Sequence, residues 1–247
     1  MVSLEVCANS ANSAIAAQTG GAFRIELCDN LLQGGTTPSH GEITWARKEL
    51  HIKMYVLIRP RSGDFLYTDR EFEIMLADTE HCAQLGCDGI VTGILKKDGS
   101  IDLERNRQLL AIAHKHGLGA TFHRAFDVCA DQDVALEEAI DLGFERILTS
   151  GGKSTVMEGA SHIKHLMDKA DGRIIIMPGG GLTEANVTDV VRFTGATEIH
   201  SSARSVVNSS MEFRNEHIMM GGRYVDEYAI YETDVERVKE LIRLANY

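Results

Sequence analysis

A short apolar run followed by a longer segment of helical period recurs about eight times along this 247-residue chain. Several helical segments end in glycine, as at Leu85-Gly86, His116-Gly117 and Leu142-Gly143, and the next apolar run begins two or three residues later. Glycine is common just after a helix because it readily adopts the left-handed conformation. Alternating strand and helix units predict parallel strands joined by right-handed crossovers.

Eight such units in a chain of about 250 residues favour closure of the sheet into a (β/α)8 TIM barrel. We therefore predict an α/β fold with one barrel domain over residues 1–247, and a doubly wound open sheet is the alternative. Thr183 and Thr233 are suitable N-cap residues for the last two helices. The segment 205–232 has the least regular pattern. The strands are expected over 2–8, 23–28, 53–58, 88–92, 119–122, 146–149, 173–177 and 197–200.

Charge and cysteine content narrow the class of partner and the location. The chain has 25 Lys and Arg against 36 Asp and Glu, a formal net charge of −11, which argues against nucleic acid or an anionic membrane as partner. The N-terminal run MVSLEVCANS lacks the features of a signal peptide. Five irregularly spaced cysteines without a CxxC do not suggest a disulfide framework. We expect a cytoplasmic protein without a nucleotide cofactor.

Polar residues recur where the predicted strands end. In a barrel these positions line the mouth, where the chemistry of barrel enzymes is found. Buried charges are costly unless they are paired, so we expect the acidic and basic members to neutralise one another in one cavity. A purely stabilising charge network is the alternative. The members are Glu5, Glu26, Glu198, Arg59, Arg61, His123 and Arg124.

Two loops suggest an anion site. Pro178-Gly179-Gly180-Gly181 follows strand seven, and His200-Ser201-Ser202-Ala203-Arg204 follows strand eight. Glycine lets backbone N–H groups approach a ligand, hydroxyls add donors, and barrels often bind phosphate at these two loops. The candidate anion-binding residues are Arg124, Ser150, Gly179, Gly180, Gly181, His200, Ser201 and Ser202.

Two cysteines are candidate metal ligands. Cys7 and Cys28 occupy equivalent heights on neighbouring predicted strands, so their side chains can approach each other. Two thiolates suit a soft ion such as Cu(I). The alternative for each is a small buried apolar side chain. Cys82 and Cys87 flank the start of strand four at the other end of the barrel, and we interpret them as structural.

Several motifs resemble those of the copper homeostasis protein CutC family. They include ELCD at 26–29, GGTTPS at 34–39, IRPRSGDF at 58–65, TFHRAFD at 121–127, LTSG at 148–151 and HSSA at 200–203. The match runs in order from about residue 2 to residue 245. The resemblance implies a TIM barrel, a cytoplasmic protein that is often a homodimer, and a role in copper handling. The strand-end cysteines of that family match Cys7 and Cys28.

Two functions therefore stand side by side. The first is a copper homeostasis protein that binds Cu(I) through Cys7 and Cys28. The second is an enzyme acting on a small anionic or phosphorylated metabolite, in which Arg59 and Arg61 clamp the anion by bidentate hydrogen bonds and His123 or Glu26 serves as acid or base. For the enzyme, the candidate catalytic residues are Glu26, Arg59, Arg61, His123 and Asp127.

Overall fold

The computed structural model describes residues 1–215, 217–218 and 226–247. Strand and helix alternate from the first strand to the eighth, with bounds close to those expected from the sequence. The strands are β1 (Ser3–Ala8), β2 (Arg24–Leu27), β3 (Lys53–Leu57), β4 (Gly89–Thr92), β5 (Gly119–Phe122), β6 (Arg146–Thr149), β7 (Ile175–Pro178) and β8 (Glu198–Ser201). The helices are α1 (Ala11–Gly20), α2 (His40–Glu49), α3 (Asp69–Gln84), α4 (Leu103–Lys115), α5 (Gln132–Leu142), α6 (Val156–Ala170), α7 (Val187–Thr194) and α8 (Val235–Ala245).

The eight strands form a nearly closed barrel. Their order is β7-β6-β5-β4-β3-β2-β1-β8, every pair of hydrogen-bonded neighbours is parallel, and β7 lies beside β8. This confirms the predicted (β/α)8 barrel, and the open-sheet alternative is wrong. The register sets Glu5 opposite both Arg24 and His200, and Cys7 opposite Glu26. Partners in a parallel register share a face of the sheet, so these five side chains gather in one region of the interior.

Two helices begin later than the sequence suggests. Helix α7 begins after Asn186, whose side-chain oxygen accepts from the Thr183 N–H at 2.8 Å, so Thr183 belongs to the preceding turn and is not the cap. Asp234 caps α8 by accepting from the N–H groups of Glu236 and Arg237. Thr233, the expected cap, is instead the last residue of a strand. In each case a polar residue nearer the helix supplies the turn or cap geometry.

The segment between β8 and α8 contains more order than its sequence suggests. Strands β9 (Arg204–Asn208) and β10 (Ala229–Thr233) pair in antiparallel fashion. Val206, Val207 and Ile230 remain about half exposed, so neither strand shows the buried alternation by which a strand is usually recognised. No helix among the residues described is long and apolar enough to cross a membrane.

A buried charge network fills the interior beneath the mouth. Arg24 is 1% exposed and forms ion pairs with Glu5 and with Glu198, the latter at 2.5 Å. Arg146 contacts the same Glu198 carboxylate at 3.1 Å, and both guanidinium groups lie 5.2 Å from the centre of the Tyr55 ring. The expected pairing of Glu5 and Glu198 with mouth arginines is therefore wrong, because Arg24 and Arg146 neutralise them from within the strands.

Removing the central cation of this network should strongly destabilise the fold. Arg24→Met keeps an apolar stem but leaves Glu5 and Glu198 buried without their shared counter-ion, and breaking a buried pair costs about 3–5 kcal/mol. We expect a loss of this size in urea unfolding. The control is Arg173→Met, which removes an exposed ion pair with Glu137. Equal losses in the two variants would contradict a special role for Arg24.

Candidate functional site

A cavity of about 500 Å³ opens at the carboxyl ends of the strands. Its wall has a thiol side, made by Cys7, Cys28, Glu26 and His200, and an arginine side, made by Arg59, Phe65 and His123. Residues at and beyond the ends of β7 and β8 also line it: Gly180, Gly181, Leu182, Thr183, Ser201, Ser202, Ala203 and Arg204. The mouth is thus concave and carries chemically distinct faces, as is usual for a ligand site.

The thiol side brings together four buried side chains. The Sγ atoms of Cys7 and Cys28 are 3.5 Å apart. Cys7, Glu26 and His200 form a compact group in which one ligand atom from each lies within 4.8 Å of the others. The β1–β2 register explains the contact between Cys7 and Glu26, and the β1–β8 register brings His200 across from Glu5. His200 thus joins the cysteines, although its sequence position suggests the anion loop.

Charges around His200 fix its orientation. Its Nδ1 lies 2.8 Å from Glu5 Oε1, and its Nε2 lies 3.6 Å from Glu26 Oε2. Burial lowers the pKa of His200, but the hydrogen bond to Glu5 and the charge of Glu26 outweigh burial and raise it. For Glu5, burial acts in the opposite direction and raises the pKa. The charge of Arg24 and the hydrogen bond with His200 outweigh burial and bring the pKa of Glu5 down to about 2. Glu5 is therefore an anion, and its carboxylate fixes the His200 ring through Nδ1.

Two other groups on the thiol side, Cys7 and Glu26, have raised pKa values. The hydrogen bond with Cys28, followed by burial, raises the pKa of the Cys7 thiol well above its ordinary value. Burial raises the pKa of the Glu26 carboxyl. A cation that binds Cys7 must therefore displace the thiol proton as it binds.

The arginine side contains a guanidinium without a carboxylate partner. Arg59 is 5% exposed and donates to the carbonyl oxygens of Gln33, Gly35 and Gly63 at 3.2, 2.5 and 2.7 Å. In the part of the chain that the structure describes, no carboxylate lies within ion-pair distance of it. The Phe65 ring packs against this guanidinium, with 5.1 Å between Arg59 Cζ and the ring centre. Arg59 thus brings an unneutralised positive charge to the cavity.

His123 lies beside Arg59 as a neutral donor. Its Nδ1 accepts a hydrogen bond from the Ala125 N–H at 3.2 Å, so the ring hydrogen is on Nε2. Burial and the charge of Arg59 lower the pKa of His123 to about 3. At neutral pH the ring can donate through Nε2 but offers no free basic nitrogen. The predicted role of His123 as a base is therefore unsupported by this geometry.

Four of the candidate site residues do not line the cavity: Arg61, Asp127, Ser150 and Gly179. Arg61 points toward α3, where its Nε is 2.6 Å from Glu71 Oε1, so the predicted Arg59–Arg61 clamp is wrong. The alternation that would place Arg59 and Arg61 on the same face does not hold, because the chain leaves β3 before Pro60. The Asp127 carboxylate is occupied by donors from the β6 loop, including the Ser150 N–H at 3.0 Å. Further donors to Asp127 are Thr149 Oγ1 at 2.5 Å, Ser150 Oγ at 3.0 Å, the Gly152 N–H at 3.0 Å and Arg124 Nε at 2.7 Å.

The predicted anion loops are only partly assembled. Gly180, Gly181, Ser201, Ser202 and Arg124 line the cavity. Gly179 does not, because its N–H donates to the Thr149 carbonyl at 3.0 Å and its backbone packs on Leu148. Ser150 is likewise set back, bonded to Asp127 and Arg124.

Sequence reasoning missed Arg24, Arg146 and Phe65. Arg24 has the same strand parity as Glu26 and Cys28, so an inward-facing arginine in an apolar run was a usable signal. Arg146 likewise precedes the inward Leu148 by two residues. Phe65 follows a loop whose path the sequence alone does not give.

Comparison with known proteins identifies the family of this chain. The CutC family model matches residues 2–205. The chain belongs to the CutC family. It is 49% identical to the mouse protein named copper homeostasis protein cutC homolog over 243 residues, which cover 98% of this chain and 89% of that protein. It is 50% identical to a CutC family protein of Parabacteroides distasonis over 241 residues, covering 97% and 98% of the two chains.

A crystal structure from the same family has the same architecture. The CutC protein of Streptococcus agalactiae superposes with a TM-score of 0.78 at 40% sequence identity. The match covers 82% of this chain and 99% of that one. The predicted family and barrel fold are both confirmed.

The neutral His123 should make stability depend on pH. Its pKa falls from 6.5 in the unfolded chain to about 3 in the fold, so only the unfolded state binds a proton between these values. Stability from this group is complete above the unfolded pKa and is lost as pH falls, by up to about 1.4 kcal/mol per unit. Urea unfolding between about pH 7 and about pH 5 should show a shallower slope in His123→Phe than in the unchanged protein.

The control for this slope is His51→Phe, because His51 is exposed on a loop. We expect His51→Phe to keep the pH slope of the unchanged protein. Identical slopes in His123→Phe and the unchanged protein would show that His123 does not stay neutral in the fold.

Proposed function

We propose that this chain is a copper homeostasis protein that holds Cu(I) as cargo between Cys7 and Cys28. The observation that carries the proposal is the pair of buried thiols, 3.5 Å apart, at the wall of an open cavity. Copper homeostasis appears in the name of the mouse relative and of the human one, which is 48% identical over 243 residues. Thiolates are soft ligands and suit Cu(I).

The surroundings of the two thiols fit a soft monovalent cation. Glu26 and His200 add a carboxylate and an imidazole next to Cys7. Because Glu5 accepts at Nδ1 of His200, the Nε2 atom is the one left to face the site. A metal-bound histidine is usually held by a carboxylate in this way. His200 or Glu26 can therefore serve as a third ligand, while the thiols give the preference for copper.

Copper binding by this site is expected to strengthen as pH rises. Because the pKa of the Cys7 thiol is raised well above its ordinary value, this thiol carries its proton before the ion arrives. Cu(I) must displace the thiol protons to form its bonds. Such a site releases its ion more readily when the pH falls, which suits transient storage or transfer.

We also propose a cytoplasmic location and a homodimer, as the family resemblance implies. The free thiols of Cys7 and Cys28 support the location, because the cytosol keeps such thiols reduced. The half-exposed Val206, Val207 and Ile230 of the β9–β10 hairpin offer apolar surface that a second copy can cover. Analytical ultracentrifugation tests the dimer.

An enzyme acting on an anionic metabolite has less support. The names of the relatives favour copper homeostasis. Among the five candidate catalytic residues, Arg61 is paired with Glu71, and the Asp127 carboxylate is filled by loop donors. His123 lacks an available basic nitrogen.

The copper site is tested by competition with a chromophoric Cu(I) chelator under anaerobic, reducing conditions. The unchanged protein should take up about one equivalent of Cu(I). Altering the outer partners of a metal site costs about 10–100-fold in affinity, so removing both thiols in Cys7→Ala, Cys28→Ala should cost more than about 100-fold. His200→Asn should give an intermediate loss.

The matched control is Cys82→Ala, Cys87→Ala, which also removes two buried thiols but at the other end of the barrel. We expect this variant to retain the affinity of the unchanged protein. Unchanged Cu(I) affinity in Cys7→Ala, Cys28→Ala would rule out the assigned site, whereas an equal loss in both double variants would indicate nonspecific thiol binding.

A further inference from the structure

Among the residues described, the buried side-chain polar atoms without a partner are concentrated at one place. In the described part of the chain, three buried side-chain polar atoms lack a hydrogen-bond partner: Arg59 Nε, Tyr67 Oη and His123 Nε2. Buried polar groups nearly always have a partner, so each exception requires an explanation. Tyr67 and His123 both lie within electrostatic reach of Arg59, and the Phe65 ring packs on Arg59 and on His123.

All three unsatisfied groups are hydrogen-bond donors. The Arg59 Nε always carries hydrogen. The hydrogen of the neutral His123 ring is on Nε2, because Nδ1 accepts from the Ala125 N–H. Burial raises the pKa of Tyr67 to about 12, although the Arg59 charge opposes that shift, so its hydroxyl keeps its proton. The Tyr67 hydroxyl oxygen can also accept, but neither Arg59 Nε nor His123 Nε2 donates to it, so these two nitrogen donors lack an acceptor.

The missing acceptor should carry negative charge. Arg59 is 5% exposed, and the acceptors that hold it are neutral backbone carbonyls of Gln33, Gly35 and Gly63. A buried charge without a counter-ion is costly. A neutral acceptor would satisfy the hydrogen bonds but leave this charge uncompensated, whereas an oxyanion would do both and form stronger, charge-assisted bonds.

We propose that the cavity binds a small oxyanion, the carboxylate or phosphate group of a small molecule, through Arg59 Nε and His123 Nε2. Both residues line the cavity, whereas Tyr67 does not, so Tyr67 is outside the ligand shell. Phe65 also lines the cavity and supplies an apolar surface for the rest of the ligand. This site goes beyond the copper function and shares no ligand residue with the thiol side.

The glycine loop is the rival location for an anion in the same cavity. Gly180, Gly181 and Ser202 line it there, with Arg204 close by. The side chains of Ser202 and Arg204 are not among the buried unsatisfied groups, and the Gly181 backbone is exposed to solvent, so water can satisfy its N–H. The buried donors of Arg59 and His123 have no hydrogen-bond partner in the described part of the chain and belong to residues that line the cavity, which is why we place the oxyanion there.

The experiment titrates the full-length protein at neutral pH with inorganic phosphate and, separately, with acetate. Calorimetry should give one saturable site for at least one probe, with a dissociation constant of about 1 mM or lower. The ring resonances of His123 in 1H–13C spectra should shift along the same binding curve. Tighter binding of phosphate assigns the phosphate class, and tighter binding of acetate assigns the carboxylate class.

Variants then locate the anion. Arg59→Gln removes the charge, and His123→Phe removes the Nε2 donor while keeping a ring. Each should weaken binding by at least about 10-fold, the loss of one charge-assisted or buried hydrogen bond. Arg61→Gln is the matched control, because it removes a neighbouring arginine that does not line the cavity, and it should bind as the unchanged protein does.

Three results would overturn the oxyanion site. Absence of saturable binding by the unchanged protein overturns it, as does binding that survives His123→Phe without shifts at the ring. Loss of binding in Ser202→Ala but not in His123→Phe would move the anion to the glycine loop and also overturn it. Because His123→Phe and the ring resonances are independent of Arg59→Gln, a folding failure of that variant leaves the proposal testable.

The anion site and the copper site are distinguishable. We expect Cys7→Ala, Cys28→Ala to bind the anion as the unchanged protein does, since neither thiol contacts Arg59 or His123 as a hydrogen-bond partner. Failure of copper binding would therefore leave the anion result intact, and the reverse also holds.

Discussion

The buried pairing of Arg24 with Glu5 and Glu198 is the interaction on which the rest of the interior depends. A guanidinium that is 1% exposed can be accommodated only if carboxylates neutralise it. Glu5, fixed as an anion by that contact, in turn holds His200 through Nδ1. His200 then faces Glu26 beside Cys7. The geometry of the thiol side is thus positioned by a charge pair one layer deeper in the barrel.

The cavity has two sides that favour ligands of opposite charge. Its thiol side offers sulfur and carboxylate groups, which attract a cation, while its arginine side offers a buried positive charge and a neutral histidine donor. The two sides are carried by different strands and can be altered separately. A soft cation and an oxyanion bound in one cavity would each reduce the electrostatic cost of the other. Both sides lie within one cavity of about 500 Å³.

Much of the fold and the thiol side of the cavity could be predicted from the alternation of inward and outward side chains along the strands. The eight strands could be predicted because each is a short apolar run bounded by helix-ending glycine or polar turns. Alternation along β1 and β2 was enough to bring Cys7, Cys28 and Glu26 to the same face. The same alternation misplaced Arg61, because the backbone turns away after Arg59 and parity no longer applies. The order in the 205–232 segment was missed because its strands are half exposed.

The sequence by itself determined the barrel, the family and the thiol pair, because these depend on local periodicity and on motifs contiguous along the chain. Only the tertiary structure decided which charges meet. Glu5 lies 19 residues from Arg24 but 195 from His200, and Arg24 lies 174 from Glu198. Pairing over such separations depends on strand register and barrel closure, which no local pattern encodes. The same closure leaves Arg59 Nε and His123 Nε2 without an acceptor.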